Sequence, residues 1–591
     1  MAEMSDVYDD MNLFATPEQF IIEPCGKNEL LIIDRISGGV KVQARTNQIQ
    51  GLHPICRICG VLGVVKLTAG LHLVVATHRI FVGILNGQII WQLACYDIIP
   101  YIPSVTHLTM NQKKQNETYL QMVRKNLDMP IFYFSYTYDL THSLQRLNSM
   151  PPDFLKNGML DRADERFVWN GHILKNFKCP EMRRFALPLM VGFVSINQAN
   201  VNGYSFVWTI ISRRSVNRAG TRLFSRGIDD NGNCANYVET EQIVEYDGER
   251  ISFVQTRGSI PGYWRQTPNL RYKPPPEIVE GKDHLTACAK HFDGQFMMYG
   301  RQVIINLIDH RGPEDVLEKF YSSLIQQLNN PAVRYEAFDF HAECRKMRFD
   351  RLNILVDRLA HEQDEFSIFH LHKDGTLLSS QEGVFRTNCI DCLDRTNVVQ
   401  SMLAKRSLTN ILTKLGILHS GQSLSSTPSF EMLFKSVWSD NADLIATQYT
   451  GTGALKTDVT RIGKRTKAGL LKDGVNALQR YYLNNFCDGF RQDSIDFFLG
   501  NYVIPEGEGL VIPSPLDTSR GWKYGTFPSV LMFAVAMFFA SAILPQEYNT
   551  ENLLFLLFWG AMVGVTTAGI FRYGSEFVDW PRLRPPTHID A

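Results

Sequence analysis

Two long uncharged stretches near the C-terminus constrain this chain most. Between Lys523 and Glu547 lie 23 residues without a formal charge, and between Glu551 and Arg572 lie 20 more, rich in Phe, Leu, Val and Met. At about 1.5 Å per residue, either run spans a hydrocarbon core of ~30 Å as a helix. The competing reading is a buried helical hairpin in a water-soluble core, but two such runs in succession are rare there. Arg520 and Lys523 precede the first run, Arg572, Arg582 and Arg584 follow the second, and the connecting loop carries Glu547 and Glu551 but no Lys or Arg. Positive charge stays on cytosolic flanks. The expected topology therefore puts both flanks, and everything before Lys523, in the cytosol.

The remainder reads as folded cytosolic protein, and the length of 591 residues corresponds to about four domain-sized units. Lys plus Arg is 60 and Asp plus Glu is 60, a formal net charge of 0, which argues against a bulk nucleic-acid binder. Apolar residues at 45% and charged residues at 20% exclude a mainly disordered chain. The 11 cysteines, odd in number and scattered from Cys25 to Cys487, suit a reducing compartment better than a disulfide framework. The acidic start Met1–Asp10 has no apolar h-region, so no secretory signal is expected.

Residues 1 to about 110 read as β-rich, with a hairpin around Asn86-Gly87. The polar stretch Asn111–Glu117 reads as a loop. From about 180 to 500 the pattern is α/β, with strands expected at Phe253, Val303 and Phe366–Leu371 and helices at Glu314–Gln327 and Asp473–Cys487. Residues 505–525, with Pro505, Gly507, Gly509, Pro513, Pro515 and Gly521, read as a linker.

The segment that carries chemistry is Val384-Phe-Arg-Thr-Asn-Cys-Ile-Asp-Cys-Leu-Asp-Arg-Thr-Asn397. An extended run ends at Cys389, Arg395 follows after five intervening residues, and a helical pattern with Val398, Val399, Met402 and Leu403 comes next. Strand, tight loop and helix N-terminus make an anion cradle of converging N–H groups. Such a field favours a thiolate at Cys389, and Arg395 supplies a planar fork for two phosphate oxygens. A thiolate beneath a bound phosphate can attack phosphorus and form a cysteinyl-phosphate that water then hydrolyses, with no metal or other cofactor required. Asn388, Ile390, Cys392, Leu393 and Thr396 complete the cradle, with Thr396 and Asn397 placed to cap or brace it. Asp391 is the candidate general acid, and Asp394 is a further candidate catalytic residue in the same loop. Either can instead be a structural partner of an amide or of Arg395. Cys392 packs, or caps Cys389 as a reversible disulfide.

Two basic stretches stand out. Ser212–Arg226 holds Arg213, Arg214, Arg218, Arg222 and Arg226 and no acid; Lys456–Lys472 holds six basic residues, Lys456, Lys464 and Arg465 among them, and one acid. They read either as solvated faces or as attractors of anionic headgroups, at about 1 kcal/mol per basic residue near a membrane. Other patterns fail. Gly451–Thr457 has Leu455 where a Walker loop needs Gly, His361-Glu362 lacks the second zincin His, and Cys56-Arg-Ile-Cys59 has no companion pair. His341 and Cys344 read as core.

Arg386–Asn397 resembles the signature of the Sac-domain phosphoinositide phosphatases. Further blocks of the same resemblance are Phe167–Asn170, Arg213–Arg222, Gln255–Pro261, Phe338–His341, Trp438–Asn441, Gln448–Lys456 and Asn485–Ser494. It covers roughly residues 1 to 505, and the C-terminal hairpin narrows it to the suppressor-of-actin type of the endoplasmic reticulum and Golgi. The resemblance implies hydrolysis of phosphatidylinositol 4-phosphate, and more weakly of other monophosphates such as the 3-phosphate. It gives Cys389 the nucleophile role and Arg395 the phosphate clamp, with Arg213, Arg214, Arg218, Lys456, Lys464 and Arg465 as headgroup contacts. The expected fold is an α/β catalytic domain with a β-rich N-terminal subdomain, plus a C-terminal two-helix transmembrane hairpin. Its boundaries are 1–180, 181–504, a linker 505–525, spans 526–544 and 553–571, and a cytosolic tail 572–591. A protein tyrosine phosphatase and an inactive lipid-binding tether are the alternatives. Some members end in a dilysine signal, whereas this chain ends Pro586-Thr-His-Ile-Asp-Ala591. Spans of about 20 residues favour a thin membrane such as the endoplasmic reticulum.

Overall fold

A computed structural model of the chain describes residues 7–46, 49–345, 348–455, 457–462, 466–517, 521–544 and 549–584. The spine, among the described residues, is a 13-stranded mixed sheet. Val333–Ala337, Arg301–Asn306 and Gly383–Asn388 run parallel at one end, and Gly383–Asn388 also pairs parallel with Glu249–Arg257. From there the sheet turns antiparallel through Val238–Tyr246, Tyr204–Arg214 and Met190–Val201, then passes Phe132–Phe134 into Gln88–Pro100, Gly70–Leu85 and Gly60–Leu67. A smaller antiparallel sheet of five strands sits at the N-terminus. The boundary expected at residue 180 falls between two paired strands of the large sheet, Phe132–Phe134 and Met190–Val201, where Met190 lies opposite Tyr133, so the N-terminal and catalytic parts share hydrogen bonds.

The parallel strands read as continuous apolar runs because both faces are covered. Ile304 packs with Phe292, Leu317 and Tyr321 of two helices on one face; Val303, Ile305 and Phe385 pack with Leu355, Val399 and Leu403 on the other. The hairpin expected at Asn86-Gly87 is present, with φ of 51° and 73° at the two turn residues, the left-handed values a two-residue turn needs. The helices expected at Glu314–Gln327 and Asp473–Cys487 are found at Asp315–Leu328 and Lys467–Phe486.

Asn111–Glu117 is helix, not loop, within Met110–Leu127. Thr109 and Gln112 form a capping box, and Tyr119, Met122, Val123 and Leu127 enter the core. The polar residues that suggested a loop bind the segment thought to be a linker: Gln112 donates to the Glu508 carbonyl and Gln115 to Asp517. Residues 505–517 are thus docked rather than free. Glu508 is buried and accepts from Tyr119, Tyr502 and Ser514.

Trp522–Ile543 and Thr550–Arg572 form a helical hairpin coinciding with the two apolar runs. Only 6% of each apolar window is buried, and Phe539, Leu554, Phe558 and Val565 are each more than half exposed. A soluble core hairpin would be covered by its own chain. These helices are candidate membrane spans by length, hydropathy and exposure.

The segment after the hairpin returns to the catalytic domain. A Cβ on Gly574 would lie 2.1 Å from the Asn269 carbonyl oxygen, and one on Gly489 2.4 Å from that of Asp579, so both crossings need glycine. The Asp579 amide donates to the Asn485 carbonyl, and the Arg582 and Leu583 amides donate to Asp493 at 2.9 Å. Burial pushes the Asp493 carboxyl up to about 7 against these bonds. Leu583 joins the large core.

Candidate active site

Cys389 sits at the C-terminal end of Gly383–Asn388, where parallel strands of an α/β sheet place their ligands. Cys389 is 3% exposed. The next four residues form a tight loop, with Cys392 at φ 53°, and the helix Asp394–Lys414 begins at once. Strand, loop and helix N-terminus are the expected elements in the expected order. Thr396 donates its hydroxyl to Cys389 Sγ at 3.4 Å. Asn397 braces from behind, donating to the Trp438 carbonyl and accepting from Asn441. Asn388, buried, donates to Asn306 at 2.6 Å. Leu393 is core, packed with Val238, Ile445 and Tyr449, and Ile390 packs beside Ile308 and Tyr321. Cys392 donates its S–H to the Cys389 carbonyl at 3.3 Å, and burial pushes its thiol up to about 12.

The two loop aspartates differ. Asp391 accepts from Arg222 at 3.0 and 2.9 Å and from Arg226 at 2.7 Å. Burial raises its carboxyl, but the two guanidiniums outweigh burial and hold it well below the usual carboxylate range. A carboxylate held ionised has no proton to give, so this geometry fits a structural brace and not the general acid first expected. Asp394 accepts from the Leu455 amide at 2.8 Å and lies 3.8 Å from Arg480. There burial outweighs Arg480 and pushes the carboxyl up, the direction a proton donor requires.

Arg395 points from the helix's first turn to the Leu307 carbonyl at 3.0 Å, Asp309 at 3.2 Å and Glu314 at 2.9 Å. Arg395, expected as the phosphate clamp, is therefore tied to two carboxylates. His341, expected in the core, is 55% exposed and stands 2.6 Å from Asp309.

The loop opens onto a cavity of about 870 Å³. One wall is apolar, with Val398, Met402, Phe434 and Trp438, and Arg271, Lys273 and Arg311 line it elsewhere. Of the arginine-rich stretch Arg222 lines this space, whereas Arg213, Arg214 and Arg218, expected as contacts, do not. Arg213 is fully buried between Glu239 and Glu241 at 2.9 and 2.7 Å. Arg214 is buried against the Gln448 and Gly220 carbonyls. Arg218 donates to the Arg226 carbonyl and lines a different cavity. The strand Tyr204–Arg214 carries Arg213 and Arg214 inward, and Arg218, in the turn after it, is half-buried; Arg222 and Arg226, farther along, reach the loop. Lys456, Lys464 and Arg465 lie outside the described residues. Sequence reading singled out none of Arg222, Arg226, Asp309, Glu314 or Arg480. The first two lie in a flagged stretch; the others carry no local signal. Among the described residues no group of three or more His, Cys, Asp or Glu is arranged to hold a metal.

A thiol at a strand end, a helix N-terminus above it and an arginine on the first turn define a phosphoric monoester hydrolase of the Cys-x5-Arg type. Comparison with known proteins specifies it further. A model of the SacI homology domain matches residues 59–345. The chain is 59% identical over 587 residues to "Phosphatidylinositol-3-phosphatase SAC1" of Drosophila melanogaster, covering 99% of this chain and 98% of the relative. It is 36% identical over 584 residues to the Saccharomyces cerevisiae protein of that name, covering 95% and 91%. To "Phosphoinositide phosphatase SAC7" of Arabidopsis thaliana it is 35% identical over 587 residues, covering 98% of each. The chain belongs to the Sac-domain phosphoinositide phosphatase family.

Proposed function

We propose that this chain hydrolyses phosphatidylinositol 4-phosphate, and more slowly the 3-phosphate, to phosphatidylinositol at the cytosolic face of a membrane it spans twice. The observation that carries this reading is Cys389, set beneath a helix N-terminus at the floor of a cavity with one apolar wall and several cations. The relatives' names supply the lipid class and the 3-phosphate; the signature resemblance adds the 4-phosphate.

The steps follow from the site. The headgroup phosphate displaces Asp309 and Glu314 from Arg395, which then grips two of its oxygens. The Cys389 thiolate attacks phosphorus as the bond to the inositol oxygen breaks. Asp394 gives its proton to that oxygen. Water then attacks the cysteinyl-phosphate, losing its proton to the Asp394 carboxylate, and inorganic phosphate leaves with the thiolate restored. The apolar wall with Val398, Met402 and Trp438 accommodates part of the lipid.

The docked segments on both sides of the hairpin hold the catalytic domain against its anchor, which favours lipid of the same membrane over lipid across a gap. The short spans and the family resemblance support the endoplasmic reticulum as that membrane, with cycling to the Golgi.

The test is phosphate release by full-length protein in proteoliposomes carrying one monophosphate isomer at a time, beside Cys389→Ser. Release by wild type only, fastest from the 4-phosphate, is expected. Activity on phosphotyrosine peptides but not on lipid would make the chain a tyrosine phosphatase. Lipid binding without release would make it a tether.

A further inference from the structure

The helix Lys467–Phe486 is built inside out. Leu471, Val475, Leu478, Tyr482 and Phe486 recur at i, i+4, i+7, i+11 and i+15, one stripe of a helical surface. That stripe faces outward: the first four are each more than half exposed, and Phe486 is 40% exposed. The opposite face is polar and turned inward. Arg480 is buried and donates to Thr452 and to the Gly453 carbonyl. Asn484 and Asn485 are buried, and Asn485 accepts from the Leu270 amide. Ala477, Arg480, Tyr481 and Asn484 line the catalytic cavity. A helix on a water-soluble surface does the reverse, with apolar residues in and polar residues out. A continuous exposed apolar stripe marks a surface that meets an apolar medium.

Position identifies that medium. Tyr481 donates to the Leu270 carbonyl at 2.7 Å and stacks on Tyr272. Leu270 packs with Phe577 and Val578, just beyond the second apolar run, and Phe527 and Ile570 of the hairpin itself pack against the same cluster. Next to Leu270, the Asn269 backbone is where Gly574 crosses, and the Asp579 amide donates to the Asn485 carbonyl. Trp522, Tyr524 and Tyr573 are exposed at this open end of the hairpin, and these residue types settle at a membrane–water boundary. The loop Asn269–Tyr272 therefore ties the helix to the level of that boundary. The exposed residues of the helix include Lys467 and Lys472 and no acid, which suits anionic headgroups.

We infer that the outward face of Lys467–Phe486 lies in the cytosolic leaflet of the membrane that the hairpin spans. Its apolar stripe enters the boundary between headgroups and acyl chains, as interfacial helices do, along about 30 Å of helix. Its inner face then holds the catalytic cavity at headgroup depth, and substrate enters from the same leaflet. The inference rests on the reading of the hairpin as membrane-spanning.

The test uses full-length protein in proteoliposomes of phosphatidylcholine and phosphatidylserine, doped with a phospholipid whose acyl chain carries a photoactivatable diazirine. After illumination and digestion, mass spectrometry locates the lipid adducts. Adducts are expected on Lys467–Phe486 and on both hairpin helices. Leu471→Glu combined with Leu478→Glu, two outward side chains that line no cavity, is expected to remove the adducts from Lys467–Phe486 and keep those on the hairpin. The same pair should lower kcat/KM for phosphatidylinositol 4-phosphate in the bilayer about tenfold, while hydrolysis of a water-soluble dibutanoyl analogue stays within about twofold. Adducts on the hairpin with none on Lys467–Phe486 overturn the inference, as do helix adducts that persist in the double variant. A dimer in detergent that Leu478→Glu dissociates, with the helix unlabelled, also overturns it and gives the face to a second copy. Adducts on the helix but not on the hairpin would sink the spanning hairpin and leave the interfacial helix standing. The expected adducts in a protein that releases no phosphate would sink the proposed activity alone.

Discussion

Replacing Asp391 by asparagine separates the two roles an aspartate in this loop can have. Its carboxylate is 15% exposed and meets Arg222, 17% exposed, and Arg226, 3% exposed. Removing one partner from a buried ion pair costs about 3–5 kcal/mol, because the remaining charge stays out of water. Arg226 keeps the Ile390 carbonyl and Gln266 as partners, and the asparagine carbonyl still accepts one bond. The expected loss is therefore at the lower end, about 3 kcal/mol. Arg222→Gln, which leaves Asp391 with Arg226, should lose about 1.5 kcal/mol. The pH dependence has a defined sign. The folded carboxyl lies well below its ordinary value, so its contribution is complete above the unfolded value of about 3.9 and is lost as pH falls below it. Wild type and Asp391→Asn should then differ equally at neutral and mildly acidic pH and converge in acid. Denaturant unfolding followed by tryptophan fluorescence gives the stability, and kcat/KM against pH gives the catalytic role. The account predicts lower stability with the alkaline limb of the rate profile retained. Unchanged stability with that limb abolished would refute the reasoning and return the acid role to Asp391.

Asp394→Asn should reverse that pattern: kcat falls by about 10²–10³, within the range of a lost general acid, and the alkaline limb of kcat/KM disappears while thermal stability holds. Arg213→Met should destabilise the fold by about 3 kcal/mol, by stranding Glu239 and Glu241, yet leave KM for lipid unchanged in the surviving folded fraction; a raised KM would restore it as a headgroup contact. Asp493, pushed up to about 7 by burial, adds to tail docking fully below its unfolded value of about 3.9 and loses that contribution as pH rises through about 7. Limited trypsin cleavage at Arg582 should thus be faster at alkaline than at mildly acidic pH, and Asp493→Asn should remove the difference.

The catalytic segment was legible because it is local. Strand, Cys389, loop and helix lie within fourteen consecutive residues, and each element shows its own pattern of extended apolar run, tight turn and helical period. The Asn86-Gly87 hairpin was legible for the same reason. Asn111–Glu117 was misread because its polar residues suggest loop when seen alone; they face Glu508 and Asp517, about four hundred positions away. The arginine stretch was misread because charge runs usually face water, and nothing adjacent announces Glu239 and Glu241 on the neighbouring strand. Residues 505–517 look like a linker from their Pro and Gly content, yet Glu508 binds Tyr119 on a helix near the opposite end of the chain. Asp309 and Glu314, which hold Arg395, become visible only when the sheet sets Arg301–Asn306 beside Gly383–Asn388.

The central claim is that Cys389 carries the phosphoryl group during turnover. Full-length protein mixed with a slight deficit of phosphatidylinositol 4-[³²P]phosphate in micelles, quenched with denaturant during the first turnover and digested, tests it most directly. The account predicts label on the peptide containing Cys389 as a thiophosphate ester, absent in Cys389→Ser. Full release of labelled phosphate with no label trapped in any protein, and the same release from Cys389→Ser, would contradict it.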